Sequence, residues 1–526
     1  MSQRETDVVI VGAGPTGLFL ALLLAKLGVR ARIVDAAEGP GTTSRALAVQ
    51  ARTLEFYRQL GFARDVIDRG VVLGGINLWR RGEHVAHVDL STAGAGLSPF
   101  PFGVIFPQDA HEALLVERLE AELLAPTERG NGAVERRTTV EKIEVHGGAI
   151  VVHAEAPSGP VAIEAQYVAG CDGARSVVRA AIGAGFPGGT YEHIFYVADV
   201  TARGPVMNKE LHILLDHEGF LGIFPLAGDG RARLVGTIRD ASRGSKAFTW
   251  EDADRATLER IGLEVEHVGW FSTYHVHHRV ADSFRRGNLF LLGDAGHIHS
   301  PVGGQGMNTG LGDAMNLAWK LAAVIDHRAN ADLLDTYEPE RIAFARRLVA
   351  TTDTVFKAAS SRGAFAEWAR TELVPLIVPR ALRTRFGTHL AFEAISQIGI
   401  EYRDSAWSVG RAGALHAGDR LPWVPDNFAP LASLDWQAHV YGTPPPELAH
   451  ACETCGIALH TFPLDAPARE ASFEDGTVYL VRPDGYIGGI FTGSHATERF
   501  AGYLDEHGVK RRNPKRIDTR GVTPPR

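Results

Sequence analysis

The stretch that most constrains the fold is Asp7-Val8-Val9-Ile10-Val11, followed at once by Gly12-Ala13-Gly14-Pro15-Thr16-Gly17. A continuous run of β-branched residues reads as a strand buried on both faces of a parallel sheet. The apolar run to Leu27 reads as a helix, with Gly28 at its C′ position. Ala31 to Val34 make a second strand, closed by Asp35. The result is a βαβ unit with a glycine turn. In such a turn Gly12 permits the tight bend, Gly14 lets a pyrophosphate approach the backbone, and Gly17 lets helix and strand pack closely. The helix N-terminus offers free N–H groups and partial positive charge to the phosphates. Asp35 is placed to accept hydrogen bonds from an adenosine ribose.

A second, distant motif decides between dinucleotides. Gly293-Asp294-Ala295-Gly296-His297 follows the strand Leu289 to Leu292. Ser300-Pro301-Val302-Gly303-Gly304-Gln305-Gly306-Met307-Asn308 then opens a helix running to about Ile325. A carboxylate at a strand end can hold a polyol chain such as ribityl. A helix N-terminus behind a glycine loop would stabilise negative charge on a reduced flavin ring. This pair of features favours FAD over a nicotinamide cofactor as the bound dinucleotide.

The rest of the chain shows its organisation through periodicity. Helices are expected over Ala51–Leu60 and Asp109–Leu124, and alternating strands over Val140–Val168. Leu211–Leu215, Phe220–Leu226 and Ala232–Ile238 read as strands of an antiparallel sheet. The turns His217-Glu218-Gly219 and Gly228-Asp229-Gly230 separate them. The expected architecture is α/β. A Rossmann-like FAD-binding domain (1–183 and 279–355) carries an inserted antiparallel-sheet substrate domain (184–278). A helical connector (356–409), a C-terminal domain (410–509) and a basic tail (510–526) follow.

Three fingerprints together resemble the single-component FAD-dependent aromatic hydroxylases of the p-hydroxybenzoate and phenol hydroxylase type. They are the Gly12–Gly17 turn, the Asp-Gly motif Cys171-Asp172-Gly173-Ala174-Arg175-Ser176, and Gly293-Asp294, in the family's order. The likeness spans about residues 5–345. It implies that Asp35 binds ribose, that Arg45 reaches the FAD pyrophosphate, and that Gln108 contacts the cofactor. It also implies that Asp172 serves both FAD and NAD(P)H, and that Asp294 binds the ribityl chain. Gly304, Gln305, Gly306, Met307 and Asn308 would face the flavin pyrimidine edge. NAD(P)H would reduce the FAD, and O2 would then deliver one oxygen atom to an aromatic, phenolic carbon through a flavin C4a-hydroperoxide. The inserted sheet would form the substrate pocket, with Leu214, Phe220, Phe224 and Val235 as candidate liners. The C-terminal strand pattern, Ile457–Phe462 and Val478–Pro483, resembles the thioredoxin-like domain of the phenol hydroxylase subgroup.

No catalytic base is assigned. Phenol hydroxylase relatives often carry an aspartate where this chain has Leu47. His275, His277, His278, His297 and His299 cluster near the Gly-Asp motif, and histidine titrates near neutral pH. Structural hydrogen bonding is the plainer reading of each. Cys452-Glu453-Thr454-Cys455 falls near the end of a helical stretch. A redox pair belongs at a helix start, so inert thiols are expected. No second cysteine or histidine pair completes a metal site. A formal charge of −8 gives no general attraction to nucleic acid or anionic membrane. Three cysteines in 526 residues fit a reducing compartment. A cytoplasmic enzyme is expected, with a homodimer possible. Two alternatives stay open at this point: a Baeyer–Villiger or epoxidising flavin oxygenase on the same scaffold, and a non-catalytic FAD-binding protein.

Overall fold

The computed structural model describes residues 6–41, 46–123, 134–216, 219–238, 248–253, 255–300, 304–360 and 384–510. Arg45, the His217-Glu218 turn, Pro301 to Gly303, part of the expected connector (361–383) and the basic tail beyond Lys510 lie outside the described residues.

The predicted first strand spans Thr6–Val11, and the helix behind the glycine turn spans Pro15–Lys26. Gly28 adopts φ 73° and donates its N–H to the Ala25 carbonyl, closing that helix. Thr6–Val11 sits between Ala31–Val34 and Gly159–Gly170, and Leu289–Leu291 pairs on the far side of Gly159–Gly170, all parallel. The register sets Val34, Val11, Gly170 and Leu291 side by side. Their carboxyl ends therefore open along one edge, where ligands of parallel sheets bind. The hairpin strands Thr139–His146 and Ala149–Ala156 extend Gly159–Gly170 antiparallel. Helices Pro15–Lys26, Gln108–Glu122 and Gly306–Ile325 pack together over this sheet. Helix Gly306–Ile325 buries nearly every side chain from Asn308 to Val324, which is why its sequence is apolar all round.

A second sheet of eight strands runs in the order His297–Ile298, Glu264–Val280, Gly188–Arg203, Arg231–Thr237, Gly219–Pro225, Leu211–Asp216, Gly75–Arg80, Glu83–Asp89. Two features correct the sequence expectation. Strands Gly75–Arg80 and Glu83–Asp89 come from the segment read as nucleotide-binding, and Gly75–Arg80 joins Leu211–Asp216 in parallel. The sheet is thus antiparallel except at that one pair among the described strands. It has two unlike faces. Tyr196, Ala198, Val200, Leu214, Leu221, Ile223 and Leu234 build a closed core on one, against Leu258 and Ile261. Phe195, Val197, Val235 and Val276 lie on the other, with half-buried Phe220, Phe224, Trp270 and Tyr274.

The C-terminal part holds a four-stranded mixed sheet ordered Ala458–Phe462, Gln437–Tyr441, Val478–Val481, Ile487–Phe491. Helix Leu448–Cys455 crosses between the two parallel strands, and Ala496–Glu506 follows the last strand. This sheet docks on the first through buried charges. Arg482 sits bidentate on Glu340, 2.9 and 3.0 Å, and also holds Asp484. Glu340 also takes Lys320 at 2.7 Å. Arg52 reaches the Asp484 carbonyl at 2.6 Å, and Arg420 pairs with Glu55 at 2.9 Å. No described helix is long and apolar enough to cross a membrane.

Candidate functional site

Strand register does most of the assembly. Gly12, Asp35, Asp172 and Asp294 each follow one of the four aligned strand ends, so they line one edge of the sheet. Gly12 has φ 100°, and a Cβ there would lie 2.4 Å from the Cys171 carbonyl oxygen. Only glycine fits that turn. A Cβ on Gly17 would lie 2.0 Å from the Gly12 oxygen, whereas one on Gly14 would meet nothing within 4 Å. The turn is therefore packed solid behind and open in front, at the helix N-terminus. Thr16 plugs the back of the site. Its hydroxyl stands 2.8 and 2.2 Å from where a Cβ on Gly293 or Gly310 would be. Those two glycines let the first turn, the Gly-Asp turn and helix Gly306–Ile325 converge.

Each acidic residue has a distinct setting. Asp35 accepts hydrogen bonds from the amides of Ala13 (2.5 Å) and Ala37 (2.7 Å), which ties the first turn to the second strand. Asp172 accepts from the amides of Val177 (2.7 Å) and Val178 (3.2 Å) with one oxygen. Its other oxygen is buried with no hydrogen-bond partner. Burial pushes the Asp172 carboxyl above its ordinary range, against the pull of those hydrogen bonds. Asp294 is exposed at the sheet edge. Arg179 bridges the two Asp motifs, donating to the Ala295 and Ala174 carbonyls at 2.9 and 2.7 Å.

The flavin-loop candidates divide between backbone and side chain. Gly304 has φ 61° and packs on Ala48; Gln305 caps helix Gly306–Ile325. The Asn308 side chain is fully used inside the fold. It accepts from the Gln50 amide and Thr53 hydroxyl, and donates to the Ala48 and Gly304 carbonyls, all within 2.9 Å. Met307 packs against the core with its sulfur 3.2 Å from His111. At Gln305 and Asn308 the side chain is buried, and Met307 is half-buried. Gln108 opens helix Gln108–Glu122 and spends its side-chain amide on Glu112 at 2.8 Å.

Phe220, Phe224 and Val235 lie together on the open aromatic face of the second sheet. Phe224 also joins Leu47, Ala48, Ile105 and Leu226, so this face abuts the segment leading to Gln50. Leu214 does not belong there. It pairs with Leu221 and is 4% exposed in the opposite core. Strand alternation explains the error: Phe220 and Phe224 share a parity, and Leu214 is in register with Leu221, which has the opposite one. Leu47 is buried in an apolar cluster, which leaves no carboxylate at that point.

The histidines scatter. His275 is exposed, His277 bonds Thr190 at 2.7 Å, and His278 lies tilted against Tyr191 with ring centroids 4.7 Å apart. His297 is fully buried, with Nε2 2.8 Å from Asp313. Burial, with neighbouring His297, lowers the His299 pKa to about 4. Cys452 and Cys455 occupy the last turn of their helix, and burial pushes Cys452 up to about 12.

Sequence reasoning missed Asp313. It accepts from the Gly293 amide (2.9 Å), His297 and Arg341 (2.6 Å), anchoring the Gly-Asp turn to the helix. Burial opposes its charge, but Arg341 and His297 hold its pKa below the ordinary value. The available signal was a lone acid inside the apolar run Leu311 to Val324.

Comparison with known proteins agrees with this geometry. Residues 5–352 match the FAD binding domain family model. A 6-methylpretetramide 4-monooxygenase of Streptomyces rimosus is 34% identical, covering 78% of this chain and 73% of that protein. A flavin-dependent monooxygenase of Mycobacteroides abscessus is 31% identical over 91% of this chain and 96% of its own. Among solved structures, CabE, an aromatic hydroxylase from angucycline biosynthesis, superposes with a TM-score of 0.74 at 28% identity, covering 96% of this chain and all of that one. The chain belongs to the FAD-dependent aromatic hydroxylases, flavoprotein monooxygenases built on the FAD binding domain.

Proposed function

We propose that the enzyme hydroxylates a phenolic ring held between the aromatic face of the second sheet and the N-terminus of helix Gly306–Ile325, using NAD(P)H and O2. The observation that carries this reading is the convergence of three glycine turns with that face. The aligned strand ends place Gly12, Asp172 and Asp294 on one edge, and Phe224 joins the aromatic face to the segment Leu47–Ala48 beside Gly304.

The residues present fit FAD. Open space in front of Gly14 suits a pyrophosphate, and the orphaned Asp172 oxygen awaits a donor. In this reading Gly12, Gly14, Thr16 and Gly17 hold the pyrophosphate turn, with Arg45 adding charge. Asp35 takes the ribose, and Asp294 takes the ribityl hydroxyls. Gln108 acts at the cofactor through its neighbourhood with Glu112. Backbone N–H groups of Gly306, Met307 and Asn308 meet the pyrimidine edge behind Gly304 and Gln305. Bound FAD supplies electron transfer from nicotinamide and oxygen activation. The protein's part is to orient and to exclude water. Phe220, Phe224, Val235, Phe195 and Tyr274 supply an apolar wall that keeps bulk water from the reacting carbon. The first-turn amides, unpaired within the helix, oppose negative charge on the reduced cofactor. Leu47 offers no carboxylate, and burial lowers the His299 pKa to about 4, which makes it a weak base, so the substrate's own acidity would largely set its ionisation.

NAD(P)H would bind transiently in the groove beside Asp172 and Arg179, since one dinucleotide turn serves FAD. The C-terminal order β-α-β-α-β-β-α, with a mixed sheet, supports a thioredoxin-like domain at 410–509 whose role is structural. The two-part division into 1–183 with 279–355, and 184–278, then needs two amendments, residues 75–89 and the edge strand His297–Ile298 joining the second sheet. Anaerobic stopped-flow with NADH and NADPH, with and without a panel of phenols, tests the reading. A phenol should accelerate reduction, and its aerobic product should gain one oxygen by mass. NAD(P)H oxidation that yields only peroxide with every aromatic tried would overturn it.

A further inference from the structure

We propose that Gln397 is a positioning residue for the flavin-facing N-terminus of helix Gly306–Ile325. The inference rests on the reading that this terminus meets the cofactor. Gln397 ends helix Arg385–Ser396, far along the chain, in a left-handed conformation with φ 63°. A non-glycine residue keeps that conformation only where its surroundings demand it. The side chain is 3% exposed, and its Nε2 donates to the Thr309 hydroxyl (2.9 Å) and the Gln305 carbonyl (3.3 Å). The Gln305 carbonyl is also the acceptor for the Thr309 amide and hydroxyl, both at 2.9 Å. Gln305 in turn donates its side-chain amide to the Ala394 carbonyl at 3.4 Å. The cap residue of the helix is thus held from both sides by the incoming helix.

That incoming helix is itself wedged in place. A Cβ on Gly94 would lie 2.4 Å from the Phe392 ring, so glycine makes room for it. Phe392 and Ile398 pack with Ala51, Ala93, Leu97 and Phe100. The segment returning from strand Glu83–Asp89 of the second sheet therefore braces the same helix that grips Gln305.

The chemical consequence follows from what a cap does. The amides of Gly306, Met307 and Asn308 have no partner within the helix, and the plane of the Gln305–Gly306 peptide sets the direction of the first of them. They would favour anionic reduced flavin over the oxidised form. Loss of the Gln397 donor leaves the Gln305 carbonyl held by Thr309 alone and loosens the peptide from which the first turn starts.

The test uses the full chain loaded with FAD. Gln397→Glu keeps the shape but puts a carboxylate against the Gln305 carbonyl. Gln397→Met, neutral and of similar length, serves if the glutamate variant does not fold. Leu390→Ser, on the exposed side of the same helix, is the control. The readout is the flavin midpoint potential by dye equilibration, with apoprotein Tm beside it. Either Gln397 variant should lose up to about tenfold in affinity for reduced relative to oxidised FAD, a fall of about 30 mV for the two-electron couple. The control should match the parent. Asn308→Ala, which unties the same loop from Gln50 and Thr53, separates two failures. A shift with Asn308→Ala but none with Gln397→Glu or Gln397→Met refutes the role of Gln397. No shift with any of them, or a parent protein that takes up no FAD, removes the flavin-facing reading as well.

Discussion

Gly14 and Gly17 differ by three positions and should answer the same substitution in opposite ways. At Gly14 the backbone is extended, φ −74° and ψ −177°, a conformation alanine adopts freely. Its Cβ would meet nothing within 4 Å. In the cofactor-free protein Gly14→Ala should therefore be neutral or stabilising, by up to about 1 kcal/mol, because the unfolded chain loses freedom. The same methyl would occupy the space through which a pyrophosphate approaches. Losing one charge-assisted backbone hydrogen bond costs about 1.5–3 kcal/mol, roughly 10- to 150-fold in Kd. At Gly17 a Cβ would stand 2.0 Å from the Gly12 carbonyl oxygen, with no flexible side chain to yield. Gly17→Ala should destabilise the apoprotein by about 1–3 kcal/mol or more, lowering Tm by several degrees. Thermal melts of the apoproteins and fluorescence-quenching titrations with FAD read both effects. Undiminished FAD affinity in Gly14→Ala would refute the placement of the pyrophosphate. A large fall in its apoprotein Tm would refute the packing argument.

The other expectations follow from single contacts. Asp294→Ala removes an exposed strand-end carboxylate and should weaken FAD at least about tenfold, about 1.4 kcal/mol of binding; unchanged affinity on titration removes Asp294 from the site. Cys452→Ser with Cys455→Ser should leave turnover within about twofold, since burial pushes the Cys452 thiol up to about 12 and raises Cys455 as well; a loss of more than about tenfold in rate with FAD still bound, about 1.4 kcal/mol, would contradict this. Glu340→Gln should destabilise the protein by about 3–5 kcal/mol, because Lys320 and Arg482 then lose a buried partner. Glu340 is held well below its ordinary range, by Arg482 and Lys320 against burial. Its contribution is therefore present above the unfolded carboxylate pKa and is lost as pH falls through the folded one. A variant that melts with the parent near pH 7 would show that the network is not coupled to folding.

What the sequence revealed was local. The glycine turn, its strand and its helix lie within residues 6–28, so spacing alone located them. Gly293-Asp294 was found because its strand and the Gly306 helix flank it directly. The errors came where chain-distant pairing decides. Gly75–Arg80 lies in the segment assigned to nucleotide binding, and only its pairing with Leu211–Asp216 puts it in the second sheet. Leu214 was placed on the pocket wall because hydrophobicity does not reveal which parity faces inward; only its register with Leu221 does. Asp313 and Gln397 carry no motif. Their partners are Gly293, His297 and Arg341 for one, and Gln305 and Thr309 for the other.

The buried charges give the C-terminal sheet a definite relation to the site. Burying ions is costly, and an apolar interface of the same size would often be as stable. What charges add is a unique seat, because each donor must find its own acceptor. Arg482 must meet Glu340 on the helix Tyr337–Ser360, and the Asp484 carbonyl must meet Arg52 on Ala51–Gln59. A sheet shifted by one residue would leave these ions unpaired. Both helices it engages touch helix Gly306–Ile325 through hydrogen bonds. Arg341, next to Glu340, grips Asp313 behind the Gly-Asp turn, and Gln50, just before Ala51, is held by Asn308. The C-terminal sheet therefore fixes two helices that in turn hold Asp313, behind the Gly-Asp turn, and Asn308, in the first turn of helix Gly306–Ile325.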